Sequence, residues 1–269
     1  MKYKLILIFV LSLSLFGCDR EKIVDKSRLT GFDYRLFQLT PVWELAKAVQ
    51  DCNVSKIREL VRKNPELINY QDSIYGNTLL MLTIMNNQFK SFKTLIEEGA
   101  DVNIHDTFSG SSAIIDACEY SNILYIEVLL SHGADVNDVE VGDRRPGNGT
   151  RFTPLMVAAS NNLRMVKYLM SKGADINYQN EYHQSALSES VLTDNYDIAY
   201  YLLQHGADYS HPMFYRPDNS SPEELRDSTD KGKPIYLKDL LLQPHSDIVS
   251  KRKIKKILEF LAQKELDKR

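Results

Sequence analysis

Apolar and polar residues along this chain follow a helical beat that restarts at nearly regular intervals. Four segments, FKSFKTLIEE, ILYIEVLLSH, RMVKYLMSK and YDIAYYLLQH, carry apolar residues three and four apart, such as Phe92, Leu95 and Ile96, or Ile126, Leu129 and Leu130. That spacing gathers them on one face of a helix. Each segment runs into a glycine, Gly99, Gly133, Gly173 or Gly206, which opens the phrases GADVN, GADVN, GADIN and GADYS. The residue just past a helix end often takes a positive φ, which costs glycine little, so these glycines are predicted helix stops. Upstream of each stands a second apolar run: GNTLLMLTIMNN, GSSAIIDACEYSN, FTPLMVAASNN and HQSALSESVLTDN. Thr153-Pro154 reads as a helix start, with a hydroxyl cap and a proline where no amide partner is lost. Thr78, Ser112 and Ser185 hold the equivalent place.

A unit is thus a turn, a helix, a tight connection, a second helix and a glycine stop. It resembles the ankyrin repeat, whose period is about 33 residues with a T-P-L-H-x-A motif. FTPLMVAASNNLRMVKYLMSKGADIN matches best, although Met156 replaces the usual histidine and one residue is missing between the helices. In other units Leu79 or Ala113 takes the proline place. The resemblance implies an all-α solenoid of about six helix-turn-helix units with short hairpin loops, near 41–69, 70–103, 104–137, 138–177, 178–210 and 232–267. The first and last units are the weakest, as terminal repeats with a water-facing side should be. In the first, Asn64-Pro65 replaces the glycine stop.

The four glycines are 34, 40 and 33 residues apart, so one interval is long. The excess is an insertion at 138–151, rich in charge, proline and glycine, which cannot build a core and falls in a hairpin. Two readings stand for it: a solvated surface loop, or a recognition finger carried on a rigid scaffold. The second makes Glu140, Asp143, Arg144 and Arg145 candidate partner contacts. The other hairpins add Tyr70, Asp72, Tyr75, His105, Asp106, Phe108, Tyr178, Asn180 and Tyr182, since aromatic residues concentrate binding energy at protein interfaces. Some of these rings are expected to pack on the next repeat. A second insertion at 211–231 holds Pro212, Pro217 and Pro222, which break any long helix. Its Met213, Phe214 and Tyr215 either pin the loop to the stack or join a binding surface.

The amino end changes the setting. Residues 1–17 read as a leader, two lysines and a short apolar run too brief to cross a bilayer. Leu15-Phe16-Gly17-Cys18 resembles the lipobox of bacterial lipoproteins, which makes Cys18 the lipidated first residue of the mature chain; an ordinary signal peptide with a chance cysteine is the alternative. Residues 18–40 then form a tether ahead of a repeat domain at 41–269. The expected location is a bacterial envelope, facing the periplasm, with Asp19 a cue toward inner-membrane retention. Loss of Lys2 and Lys4 with the leader moves the net charge from −3 to −5, which argues against a nucleic-acid partner. Cys52 and Cys118, two units apart, are too distant to bridge and are expected as unpaired, mostly buried thiols.

Catalytic signatures are missing: there is no metal-binding His-Glu-x-x-His, nucleophile elbow, phosphate loop or dinucleotide fingerprint. No cofactor, metal or small-molecule substrate is expected. His132 and His205 precede glycine stops two units apart and read as decoration at helix C-termini. Glu97-Glu98 reads as a solvated helix end. The basic run KRKIKKILEF either caps the core through Ile254, Ile257, Leu258 and Leu261 or touches lipid headgroups through its lysines.

The order of leader, lipobox and repeats resembles that of ankyrin-repeat lipoproteins of Gram-negative bacteria, which include immunity proteins against secreted toxins, notably phospholipase effectors. That resemblance implies a protein partner, with a secreted toxic hydrolase as the candidate. An envelope scaffold is the alternative, and an enzyme the third reading.

Overall fold

The computed structural model describes residues 22–141, 151–216, 233–243 and 247–267. Within them the two apolar runs of each unit form paired helices. The first of each pair are α1 (Trp43–Gln50), α3 (Leu79–Met85), α5 (Ala113–Glu119), α7 (Pro154–Ala159), α9 (Ala186–Leu192) and α11 (Leu237–Leu241). Their partners are α2 (Val54–Lys63), α4 (Phe89–Glu97), α6 (Ile123–Ser131), α8 (Leu163–Ser171), α10 (Tyr196–Gln204) and α12 (Ile248–Leu266).

Starts and stops follow the local chemistry. The hydroxyls of Thr78, Thr153 and Ser185 accept the amides of Met81, Met156 and Ser188, each at 3.3 Å. Ser112 is the exception: its hydroxyl turns to Asp138 of the next unit. The predicted glycine stops all take positive φ, from +90° to +95°. His132 and His205 bring Nδ1 to the carbonyls of Val128 and Tyr201, 2.8 and 2.7 Å away, supplying donors to exposed helix ends.

First helices pack in one row, α1 on α3, α5, α7, α9 and α11 in turn, and second helices form a parallel layer behind them. Between the layers lies a continuous core, to which each unit adds fully buried residues such as Leu79 and Phe92, Ile114 and Ile126, Leu155 and Val166, Leu187 and Leu202. Burying one such side chain stabilises the fold by roughly 1.5–3 kcal/mol. Tyr125 stitches α4 to α6, its ring 4.6 Å from Phe92 and 5.2 Å from Phe89. Cys118 is buried, Cys52 half-buried, and both are free.

The aspartate of each GAD phrase folds its own turn, accepting the amide two residues on: Asn103, Asn137, Asn177 and Ser210, at 2.8–2.9 Å. Glu97 and Glu98 are not simply solvated. Arg58 of α2 holds both, at 2.9 and 3.3 Å, and Arg62 reaches Glu98 at 3.1 Å.

Both ends carry additions. Residues 22–40, read as tether, are folded: Tyr34, Leu36 and Phe37 are buried. The segment is held across α3 by bonds from Tyr75 Oη to Leu29 O (2.7 Å), Asn77 Nδ2 to Gly31 O (2.8 Å) and Asn86 Nδ2 to Phe32 O (2.8 Å). A helical period could not reveal this, because its buried residues sit in a 3₁₀ turn. At the other end, β1 (Phe214–Arg216) pairs antiparallel with β2 (Lys233–Ile235). Met213 is buried, so the start of the second insertion is pinned to the stack; Pro217 and Pro222 lie outside the described residues. Ile254, Ile257 and Leu261 of α12 are buried, Lys253 pairs with Asp197 at 2.6 Å, and Lys256 lies 4.2 Å above the Tyr200 ring. The basic run caps the core. Among the described residues no helix is long and apolar enough to cross a membrane.

Candidate protein-binding surface

Three of the hairpins before a first helix are each organised by one buried polar residue. Asp72 Oδ1 accepts the amides of Ile74 and Tyr75 at 2.8 and 2.9 Å, and Oδ2 that of Asn77 at 2.9 Å. Asp106 does the same one unit on, accepting from Phe108 at 2.7 Å, Ser111 at 2.8 Å and also Ser109. Asn180 accepts from Tyr182 at 3.0 Å and Gln184 at 2.9 Å. With the backbone wrapped around the acceptor, the residue two places on points away from the stack. Ile74, Phe108 and Tyr182 are accordingly 43%, 60% and 44% exposed.

Neighbouring hairpins are joined into one edge. The Tyr75 carbonyl accepts the amides of Thr107 and Phe108, both at 3.0 Å, and Gln71 Nε2 spans Gly76 O and His105 O at 2.6 and 2.8 Å. The Gly110 carbonyl accepts the Val141 amide at 2.8 Å. Gly110 takes a φ of +69°, and a Cβ there would stand 1.5 Å from Val141 O. Glu140 closes the base of the long insertion: its amide donates to the Phe152 carbonyl and its Oε2 accepts the Phe152 amide, each at 3.1 Å.

These placements correct several expected contacts. Asp72, Asp106, Glu140 and Asn180 are buried rather than exposed, because their oxygens serve the hairpin's own amides. His105 is occupied between units, its Nε2 3.1 Å from Asp138 Oδ1. Tyr75 lies half-buried with its ring edge-on to Phe108 at 5.3 Å, and Tyr70 packs on Phe37 at 6.3 Å. Tyr178 is half-buried, which raises the pKa of its hydroxyl. Phe108 and Tyr182 remain as outward tips. Cys18, Asp143, Arg144 and Arg145 lie outside the described residues. Ile74 and half-exposed Val141 were missed. The signal for Ile74 was its position two residues past an aspartate that could cap the turn.

Beneath the edge sit two buried carboxyls at one repeat position, Asp116 in α5 and Glu189 in α9. Asp116 Oδ1 accepts from Ser111 Oγ at 2.8 Å, while its Oδ2 and Glu189 Oε1 have no hydrogen-bond partner among the described residues. Burial raises the pKa of Asp116 to about 8, against the Ser111 bond and with help from Asp106, Glu119 and Glu140. Burial alone raises that of Glu189 to about 7. Among the described residues no three His, Cys, Asp or Glu side chains are grouped to hold a metal.

This repeating edge on stacked helix pairs defines a class, and comparison supplies its family. The family model described as ankyrin repeats (3 copies) matches twice, over residues 45–140 and 138–212, more than half of the chain, so the chain belongs to the ankyrin-repeat family. Its relatives include the ankyrin repeat protein R664 of Acanthamoeba polyphaga mimivirus, 36% identical over 99 residues, covering 35% of this chain and 59% of that protein. The fowlpox virus ankyrin repeat protein FPV031 is 28% identical over 196 residues, covering 68% of this chain and 54% of that protein. The nuclear factor NF-kappa-B p105 subunit of Gallus gallus is 27% identical over 221 residues, covering 71% and 22%. The chain thus spans little more than half the length of the two viral relatives. Ankyrin repeats imply a protein-protein interaction module, and no catalytic family is indicated.

Proposed function

We propose that this chain is a membrane-anchored module that grips one protein partner with its hairpin edge. The observation that carries the reading is the outward projection of Ile74, Phe108 and Tyr182 from three turns built alike. Such tips leave apolar area open to solvent, and aromatic anchors on a rigid edge concentrate binding energy. Anchoring is proposed through acylation of Cys18, on the strength of the leader and the Leu-Phe-Gly-Cys junction.

The specific role proposed is that of an immunity protein, stationed in the periplasm to bind and inhibit a secreted antibacterial toxin such as a phospholipase effector. It rests on the combination of leader, lipobox and repeats; the relatives named above are viral and animal. Affinity capture with the processed chain from a periplasmic extract tests it. Recovery of one toxic hydrolase, whose activity falls on addition of the chain, is the expected result. Recovery of many envelope proteins at low yield, with no inhibited enzyme, would replace it with the scaffold reading.

A further inference from the structure

Residues 22–40 carry Lys22, Lys26, Arg28 and Arg35 against Asp25 and Asp33, in a chain whose overall charge is −3. Asp33 is neutralised by Arg35 at 2.6 Å, while Asp25, which accepts the amide and hydroxyl of Ser27 at 3.1 and 2.7 Å, keeps its charge and leaves Lys22, Lys26 and Arg28 in excess over it, three to one. Among the described residues Lys22, Lys26 and Arg28 have no ion-pair partner. Gln38 fixes the strand of chain beside them, donating from Nε2 to Lys22 O at 3.2 Å and accepting the Val24 amide on Oε1 at 3.0 Å. Those two bonds bracket Ile23 and set it beside Gln38, next to Leu39. Ile23 is 67% exposed and Leu39 74%. Leu39 also has a φ of +61°, a left-handed conformation in which a glycine would relieve strain. An exposed leucine at a strained position serves the fold in neither respect, which directs attention to an outside contact.

From this juxtaposition we infer that the Lys22–Lys26–Arg28 and Ile23–Leu39 patch is a docking surface for an anionic bilayer. Cations flanking apolar side chains are the chemistry that such an interface takes, ammonium and guanidinium groups at the phosphates and alkyl groups among the first methylenes. The distance argument rests on the acylation proposed for Cys18. Only four peptide steps separate Cys18 from Lys22, a reach of about 14 Å at full extension, so acyl chains there hold the patch against the headgroups. Acylation then decides where the domain resides, and the patch decides which end of the solenoid faces the membrane.

The test uses the chain from residue 18 onward with Cys18→Ser, unacylated, which contains the whole packed core, sedimented with vesicles. Binding to phosphatidylglycerol-containing vesicles should exceed binding to pure phosphatidylcholine vesicles by about tenfold. Lys22→Glu with Lys26→Glu and Arg28→Glu should bring it down to the neutral level. Leu39→Gly should lower it about threefold while thermal stability holds or rises, which a structural role for Leu39 would not allow. Equal binding to both vesicle types, or undiminished binding of the charge-reversed chain, would overturn the proposal. Mass analysis of Cys18 from the membrane fraction of cells expressing the full chain tests acylation separately. A patch that fails beside an acylated Cys18 sinks this inference alone; an unmodified Cys18 with intact vesicle binding sinks the anchor alone.

Discussion

The amide of Asp175 donates to Oδ1 of Asn137 at 2.7 Å, one unit upstream. The same bond runs from Asp101 to Asn69 at 2.9 Å and from Asp208 to Asn177 at 2.8 Å, and Asn137 Nδ2 reaches Gly173 O at 3.3 Å. The asparagine that ends one unit therefore caps the turn of the next. Asn137→Ala should destabilise the domain by about 1 kcal/mol, as expected of a net hydrogen bond, and lower its melting temperature by about 2–4 °C. Asn137→Asp, which keeps the acceptor and loses the donor, should fall less. An unchanged melting temperature for the alanine variant would assign these bonds no role in coupling units.

Asp116 and Glu189 give the stability a pH dependence of uncommon sign. Their native pKa values, about 8 and about 7, stand above the unfolded values near 4. The native state thus holds protons that the unfolded chain has already released, and stability declines as pH rises from about 4 through 7 and 8. Urea midpoints should be higher at pH 5 than at pH 8, and Asp116→Asn should flatten the difference. Asp33 and Asp208, held low by bonds from Arg35 and Ser210, act in the opposite sense only as pH falls below about 4. A midpoint that rises steadily from pH 5 to pH 8 would contradict the assignment.

Two glycines with similar φ should differ in what they tolerate. A Cβ at Gly133 meets nothing within 4 Å, so Gly133→Ala should cost only the left-handed backbone, about 1 kcal/mol. At Gly110 the same change strikes the Val141 carbonyl and breaks the joint between adjacent hairpins, at a cost of about 3 kcal/mol or more. Denaturant titration of both variants checks the order; equal losses would show that the hairpins do not need their close approach.

Thiol labelling should separate the two cysteines. Burial pushes the pKa of the Cys118 thiol far up, with Asp116 adding to the effect, so it should label only on unfolding. Cys52, half-buried at a turn, should label first under native conditions. Simultaneous labelling would mean that α5 opens readily.

The helix pairs were legible because burial between two layers demands a 3.6-residue period, and Gly99, Gly133, Gly173 and Gly206 mark its ends. The hairpin acids were not. Asp72 and Asp106 lie in polar stretches that look solvated, and only in the folded chain do their oxygens turn inward to their own amides. Residues 22–40 hide in the same way, since Tyr34, Leu36 and Phe37 anchor an irregular segment whose partners, such as Gln88 and Tyr70, lie far along the chain. The β1–β2 pair joins segments of three residues across a long gap, with no alternation to announce it. At the binding edge, Phe108 and Tyr182 were found as aromatics, whereas Ile74 belongs with them by turn geometry alone.

That three outward tips grip a protein is checked by calorimetric titration of the captured partner with wild-type chain and with Ile74→Ser, Phe108→Ser and Tyr182→Ser combined. The expected result is a retained helical fold and an affinity weakened by about 100-fold, since one anchor side chain is commonly worth more than 1 kcal/mol. A triple variant that binds as tightly as wild type would contradict it.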